Sequence, residues 1–219
     1  MLLITSTFPG EGKSTVSANL ACILAQTGAR TVVVDCDLRR STLHEKFGLV
    51  KDPGLTNYLA GDNTLEEVVR PTPIPNLHFI GAGAPPPNPA ELLGAHELAN
   101  LVAALRDKYD TILIDAPPVL AVTDAPLLTA LADLAMVLVE TGRVPVKAAR
   151  QMRETLESVG APIAGMILND KTGKGREGYG YGYYGGKYGY YGYGYYGYGY
   201  QNEPAAEKPV RWWQRLLKR

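Results

Sequence analysis

Little in this sequence serves covalent cross-linking, membrane crossing or the attraction of polyanions. Two cysteines, Cys22 and Cys36, occur in 219 residues. That excludes a disulfide-stapled secreted scaffold, and two buried thiols in a reducing compartment are the expectation. No run approaches the ~20 consecutive apolar residues that a membrane-spanning helix needs. No signal peptide is expected either, because residues 1–5 already read as a core strand. The chain is expected to be cytoplasmic, or held at the inner face of the membrane by something else. Neither charge dominates: Lys+Arg and Asp+Glu are both 22, so the global balance calls for no nucleic acid. Phe (3) and Trp (2) are scarce, whereas Tyr reaches 14, and most of the tyrosines lie near the C-terminus.

The stretch with the clearest chemistry lies near the start. Residues 1–5 suit a buried strand, and Val16 to Gln26 run at helical spacing, with Gly28 placed to end the helix. Between them stands Pro9-Gly10-Glu11-Gly12-Lys13-Ser14-Thr15. Two glycines let the backbone turn tightly, so that successive N–H groups point at one anion, and a helix N-terminus adds partial positive charge. Lys13 supplies a full charge to the β- and γ-phosphates of a nucleotide, and Ser14 a hydroxyl to Mg²⁺. Without nucleotide, the site of this lysine is expected to be open to solvent. Thr7 stands where the usual loop pattern has its first glycine. The plain alternative is a glycine-rich surface turn that happens to carry a lysine.

Two further apolar runs end in carboxylates: Arg30 to Asp35, followed by Asp37, and Thr111 to Asp115. In an open parallel sheet, strand carboxyl ends face the ligand crevice, which brings both aspartates toward the phosphate loop. Asp115 then suits Mg²⁺ coordination. Short helices and turns are expected over 41–75, a strand over Leu77 to Ile80 and a loop over Gly81 to Pro89. One long helix is expected from Pro89 to about Lys108, with proline in its first turn. Asp124 and Pro126 open another helix, with Asp124 either a cap or a switch residue. A strand at 134–140, a helix at 145–158 and a strand at 163–168 follow, and Asn169 is placed to reach a bound base. The pattern predicts an α/β domain over 1–170: a P-loop NTPase-type parallel sheet with helices on both faces.

Beyond it the composition changes. Residues 171–209 contain Tyr179, Tyr181, Tyr183, Tyr184, Tyr188, Tyr190, Tyr191, Tyr193, Tyr195, Tyr196, Tyr198 and Tyr200, with glycine in most gaps. Without aliphatic core residues, and with glycine raising the entropy of ordering, this stretch is expected to be a disordered tail. Its accessible phenols suit repeated modification; a sticky low-complexity linker is the alternative. Residues 210–219 pair Trp212 with Leu216 and Trp213 with Leu217 among basic residues. As a helix they form an amphipathic segment suited to an anionic membrane surface or to a protein partner.

The ordered set of Pro9 to Thr15, Asp35-Cys36-Asp37-Leu38-Arg39, Pro87-Asn88-Pro89-Ala90-Glu91-Leu92-Leu93, Asp115-Ala116-Pro117-Pro118 and the tyrosine cluster resembles the bacterial tyrosine kinases known as BY-kinases. The resemblance covers nearly the whole chain. It implies an ATP- and Mg²⁺-dependent kinase on an adapted P-loop ATPase fold, phosphorylating its own tyrosine cluster between subunits of a transient oligomer. It further implies regulation of exopolysaccharide polymerisation and export, a transmembrane co-polymerase as activator and a cognate tyrosine phosphatase. By position, Lys13 would stabilise the transferring phosphoryl group, Ser14 and Asp115 would hold Mg²⁺ with Asp37 supporting them, and Asp35 would be the base for the attacking hydroxyl. Members carry a helix with an Arg-bearing motif ahead of the first strand, where this sequence opens on the strand. Ser41 replaces a proline found in many members, a change expected to matter little. Two other readings are carried forward. One is a ParA/MinD-type ATPase switch, which would have a lysine at position 8, where Phe8 stands. The other is a non-catalytic adaptor that works through its tyrosine tail.

Overall fold

The computed structural model describes residues 1–94 and 96–171. The tail boundaries, the twelve tyrosines and the segment 210–219 therefore lie outside the described residues. Apolar runs form the strands β1 (Leu2–Ser6), β2 (Thr31–Asp35), β4 (Leu77–Ile80), β5 (Thr111–Asp115), β6 (Leu134–Glu140) and β7 (Ile163–Asn169). With a short β3 (Val69–Pro71) they make one sheet in the order β3-β4-β2-β5-β1-β6-β7. All five residues of β2 are buried, as a central strand covered on both faces requires.

The helices are α1 (Lys13–Gln26), α2 (Leu43–Phe47), α3 (Leu55–Leu59), α4 (Leu65–Val68), α5 (Pro89–Leu93), α6 (His96–Lys108), α7 (Asp124–Thr129) and α8 (Val146–Ser158). On one face of the sheet, Leu3, Val32, Val34, Ile112 and Ile114 pack with Leu98, Leu101 and Leu105 of α6. Helix α1 packs on β2 and β5 through Ala18, Ala21, Cys22 and Ala25, all buried. These small side chains let the helix lie close to the sheet, which brings its N-terminus near the carboxyl ends of the strands. Among the described residues, no helix is long and apolar enough to cross a membrane.

The structure corrects two expectations. The sheet is not wholly parallel: β3 pairs antiparallel with β4 at the edge. Three residues ending in Pro71 are too few to show a period, and proline is tolerated there because an edge strand needs no further donor. The helix expected from Pro89 to Lys108 is two helices. Gly94 closes α5, consistent with glycine's low helix propensity.

Candidate active site

The loop between β1 and α1 turns through Gly10 (φ 81°) and Gly12 (φ 103°), conformations costly for any other residue. Lys13 opens α1, and no side chain caps the helix. Its first N–H groups thus point toward the loop without a side-chain acceptor. The outside of the loop is clamped. Arg143 Nη2 donates to Pro9 O (2.8 Å), Lys171 Nζ to Gly10 O, and Asn169 Nδ2 to Glu11 O (2.7 Å). Three consecutive carbonyls are thereby held by side chains from the last residue of β7 and from just past the ends of β6 and β7. Asn169, expected from the sequence to reach a base, supports the loop backbone through this bond.

Glu11 also works from behind. Its carboxylate is fully buried and accepts the backbone N–H groups of Phe8 and Glu140, the latter at 2.9 Å. Glu11→Ala is expected to lower unfolding stability by about 2–4 kcal/mol, because two buried donors lose a charged acceptor. Thermal unfolding beside nucleotide titration checks this. A loss under about 0.5 kcal/mol would contradict the bracing role.

Across the cleft, β2 and β5 end in register, Asp35 beside Asp115. Lys13 reaches the end of β5 and the turn after β2. Its Nζ lies 2.9 Å from Asp115 Oδ1, 3.7 Å from Asp37 Oδ2 and 3.4 Å from Ser14 Oγ. Ser17 Oγ also donates to Asp115 Oδ1, at 2.9 Å. Lys13 itself is not open to solvent: only 6% of it is exposed, because its ammonium lies against Asp115 and Asp37. Burial works to lower its pKa. The charges of Asp115 and Asp37 outweigh burial and hold it above its ordinary value.

Asp35 is fully buried. Its Oδ1 accepts the Asp37 N–H (3.1 Å), and its Oδ2 accepts Ser41 Oγ (2.7 Å) and the Leu43 N–H (3.3 Å). Burial, reinforced by the charge of Asp115, pushes this carboxyl up to about 7, while Ser41 and Lys13 pull the other way. Ser41, expected to matter little, thus fixes one oxygen of Asp35. The Cys36 thiol is pushed up by burial and stays inert.

Asp115 Oδ2 is buried and has no hydrogen-bond partner. With Ser14 Oγ and Asp37 nearby it offers hard oxygen donors, which fit Mg²⁺. Among the described residues no group of three His, Cys, Asp or Glu is arranged to hold a metal. Mg²⁺ in phosphate-transfer sites takes only one or two protein ligands, with water and phosphate supplying the rest.

A cleft of about 640 Å³ opens over this arrangement, lined by Ser6, Pro9, Gly10, Gly12, Lys13, Ser14, Thr15 and Asp37, and farther out by Arg39, Arg40, Thr42, Lys46, Pro117, Pro118, Ala121, Val122 and Lys171. Asp124, left open between cap and switch, is the buried partner of Arg39, at 2.9 and 3.3 Å. The sequence singled out neither Arg143 nor Lys171. Their only signal is position, just past the ends of β6 and β7.

A family profile described as an AAA domain matches residues 3–165. Tyrosine-protein kinase ptk of Acinetobacter johnsonii is 40% identical over 170 residues, 78% of this chain and 23% of that protein. Tyrosine-protein kinase YwqD of Bacillus subtilis (strain 168) is 38% identical over 187 residues, 85% of this chain and 78% of YwqD. The chain therefore spans less than a quarter of ptk but most of YwqD. Among solved structures, the kinase domain of the Escherichia coli tyrosine kinase ETK matches with a TM-score of 0.75 at 32% identity, over 89% of this chain and 71% of that one. The septum site-determining protein MinD from Pyrococcus horikoshii OT3, complexed with Mg-ADP, matches with a TM-score of 0.66 at 28% identity, over 77% and 69%.

Proposed function

The chain belongs to the bacterial tyrosine-protein kinases, and from that premise we propose that it transfers the γ-phosphoryl group of ATP to tyrosine, first of all to its own C-terminal cluster. The observation that carries this reading is Lys13, held by Asp37 and Asp115 at the mouth of a phosphate loop, in a chain that carries its own dense acceptor tract. The related MinD was solved with Mg-ADP, in keeping with a nucleotide and Mg²⁺ at this loop.

The loop N–H groups and Lys13 stabilise charge on the phosphoryl group. Ser14 and Asp115 would hold Mg²⁺, with Asp37 supporting them, and the bound ion would supply electrostatic stabilisation of the phosphoryl oxygens. Asp35, fixed by Ser41 and by the Asp37 N–H, orients the phenol. Even pushed up to about 7, the Asp35 carboxyl stays well below a phenol (~10) and cannot efficiently deprotonate it before attack. Asp35 instead takes the proton as the phenol oxygen bonds to the γ-phosphorus. The bond to the β–γ bridging oxygen breaks, and ADP leaves. Incubation with labelled ATP and Mg²⁺, followed by phosphotyrosine mapping, tests this. Nucleotide turnover without phosphotyrosine would favour the switch ATPase, which Phe8 at the signature lysine position argues against.

Transfer runs between subunits of a transient oligomer. Each phosphate adds about −1.5 to −2 charges, so modified tails repel and loosen the assembly until a cognate phosphatase resets it. A transmembrane co-polymerase serves as activator at the inner face of the membrane, and the output is control of exopolysaccharide polymerisation and export. Residues 210–219 tether the tail to anionic lipid. In vesicle co-sedimentation, binding is expected to require anionic lipid, to weaken with salt and to fall when Trp212 and Trp213 become alanine. Equal sedimentation of both forms would contradict the tether.

A further inference from the structure

The cationic side of the cleft holds more charge than the nucleotide site has neutralised. Lys13, Arg39, Arg40, Lys46 and Lys171 all line it, against the single acid Asp37. Three of these cations are paired: Lys13 with Asp115 and Asp37, Arg39 with Asp124, and Lys171 with Glu140. Among the described residues, Arg40 and Lys46 have no carboxylate in ion-pair reach. Arg40 is held at the mouth by its backbone, whose N–H donates to Asp37 Oδ1 at 3.0 Å.

The remaining wall is of another kind. Pro117, Pro118, Ala121 and Val122 bring no charge to it. This loop is pinned to the end of β1: Thr5 Oγ1 donates to Pro117 O (2.7 Å), Val119 N–H to Ser6 O (2.8 Å) and Leu120 N–H to Thr7 O (3.3 Å). A preformed apolar wall facing two unpaired cations suits a flat phenol ring with an anion beside it.

The tail sequence narrows what that anion is. From Gly178 to Tyr200 there is no Asp or Glu, and the one charged residue is Lys187. Within the tract, a negative charge arises only once a tyrosine has been phosphorylated. Tyrosines adjacent or two apart recur throughout, for example Tyr190, Tyr191 and Tyr193.

We infer that Arg40 and Lys46 form a subsite for a phosphotyrosine next to the acceptor, so that the first phosphate on a tail primes its neighbours. This rests on the kinase reading above and adds to it a substrate preference. The transfer is the one already described, with ADP leaving and the phenolic proton passing to Asp35. The priming phosphate is bound and unchanged. Phosphorylation of the cluster then accelerates after its first event, and tails fill in runs rather than at scattered sites.

The test uses the full-length chain as enzyme and three acceptor peptides covering residues 187–200. One carries Tyr193→Phe, one phosphotyrosine at Tyr193 and one Tyr193→Glu, so that all offer the same free tyrosines. Transfer to the phosphopeptide is expected to exceed transfer to the phenylalanine peptide about tenfold in kcat/KM, with the glutamate peptide in between. The Glu arm separates recognition of phosphate from attraction to any carboxylate. High salt should shrink the preference. In the Arg40→Ala/Lys46→Ala enzyme, assayed at saturating ATP, the ratio of primed to unprimed transfer should fall to about one. The Lys46→Ala single variant should give an intermediate ratio. Equal transfer to all three peptides would overturn the inference and leave the kinase standing. So would a primed-to-unprimed ratio that survives the double substitution, or a glutamate peptide that matches the phosphopeptide. No transfer to any peptide or to the tail would overturn the kinase reading, and this inference with it.

Discussion

Lys13→Met should leave no measurable phosphotyrosine, a loss of about 10³-fold or more. Lys13 is the only side-chain cation in the first turn of α1 at the phosphate loop, so methionine removes the charge proposed to meet the β- and γ-phosphates. A second effect follows from the burial of the lysine. Its ammonium neutralises Asp115 and Asp37 across 2.9 and 3.7 Å, and Asp35 lies beside Asp115 in register. Removing one partner of a buried pair leaves an uncompensated charge, which costs about 3–5 kcal/mol before relaxation or protonation relieves it. The variant should therefore fold yet melt earlier than wild type. Phosphotyrosine mass spectrometry beside thermal unfolding checks both effects. More than about a tenth of wild-type activity would remove Lys13 from its assigned role.

Asp115→Asn should come next in size, lowering phosphotyrosine formation by about 10²–10³-fold. Both oxygens of Asp115 are committed in different ways. Oδ1 accepts Lys13 Nζ and Ser17 Oγ, each at 2.9 Å, while Oδ2 is buried without a partner. Asparagine keeps the shape but loses the charge. Its amide N–H₂ faces either the ammonium or the place where a cation fits, and neither is an acceptor. The Mg²⁺ concentration for half-maximal activity should rise at the same time, since a carboxylate is a better ligand for this ion than an amide. Steady-state rates over a Mg²⁺ titration separate the two effects. Activity within about threefold of wild type, with an unchanged Mg²⁺ requirement, would show that Asp115 serves packing alone.

What the sequence made legible is chemistry at short, fixed offsets. Gly10, Gly12, Lys13 and Ser14 stand in one loop. Asp35, Asp37 and Asp115 follow apolar runs whose length and branching mark them as central strands. The structure brings Lys13 within ion-pair reach of Asp37 and Asp115. Contacts between residues far apart in the chain were not legible. Arg143 holds Pro9 O across 134 positions, and Lys171 holds Gly10 O across 161. Neither cation differs in sequence from a solvated surface charge. Ser41 reads as a loop hydroxyl until the turn after β2 brings it to Asp35. The two fold corrections have a similar origin: β3 is too short to carry a period, and the break at Gly94 turns on one residue inside a pattern that is otherwise helical.

The most direct measurement mixes isotopically heavy full-length Lys13→Met protein with unlabelled wild type, Mg²⁺ and ATP, and reads the tail peptides by mass spectrometry. Only wild type has an active site in this mixture, so phosphate on a heavy peptide reports transfer from one chain to another. Phosphotyrosine is expected on heavy peptides from residues 178–200, increasing with time and absent without Mg²⁺. Phosphate on light peptides alone would contradict transfer between subunits. ATP consumed with no phosphotyrosine on either chain would contradict the kinase itself.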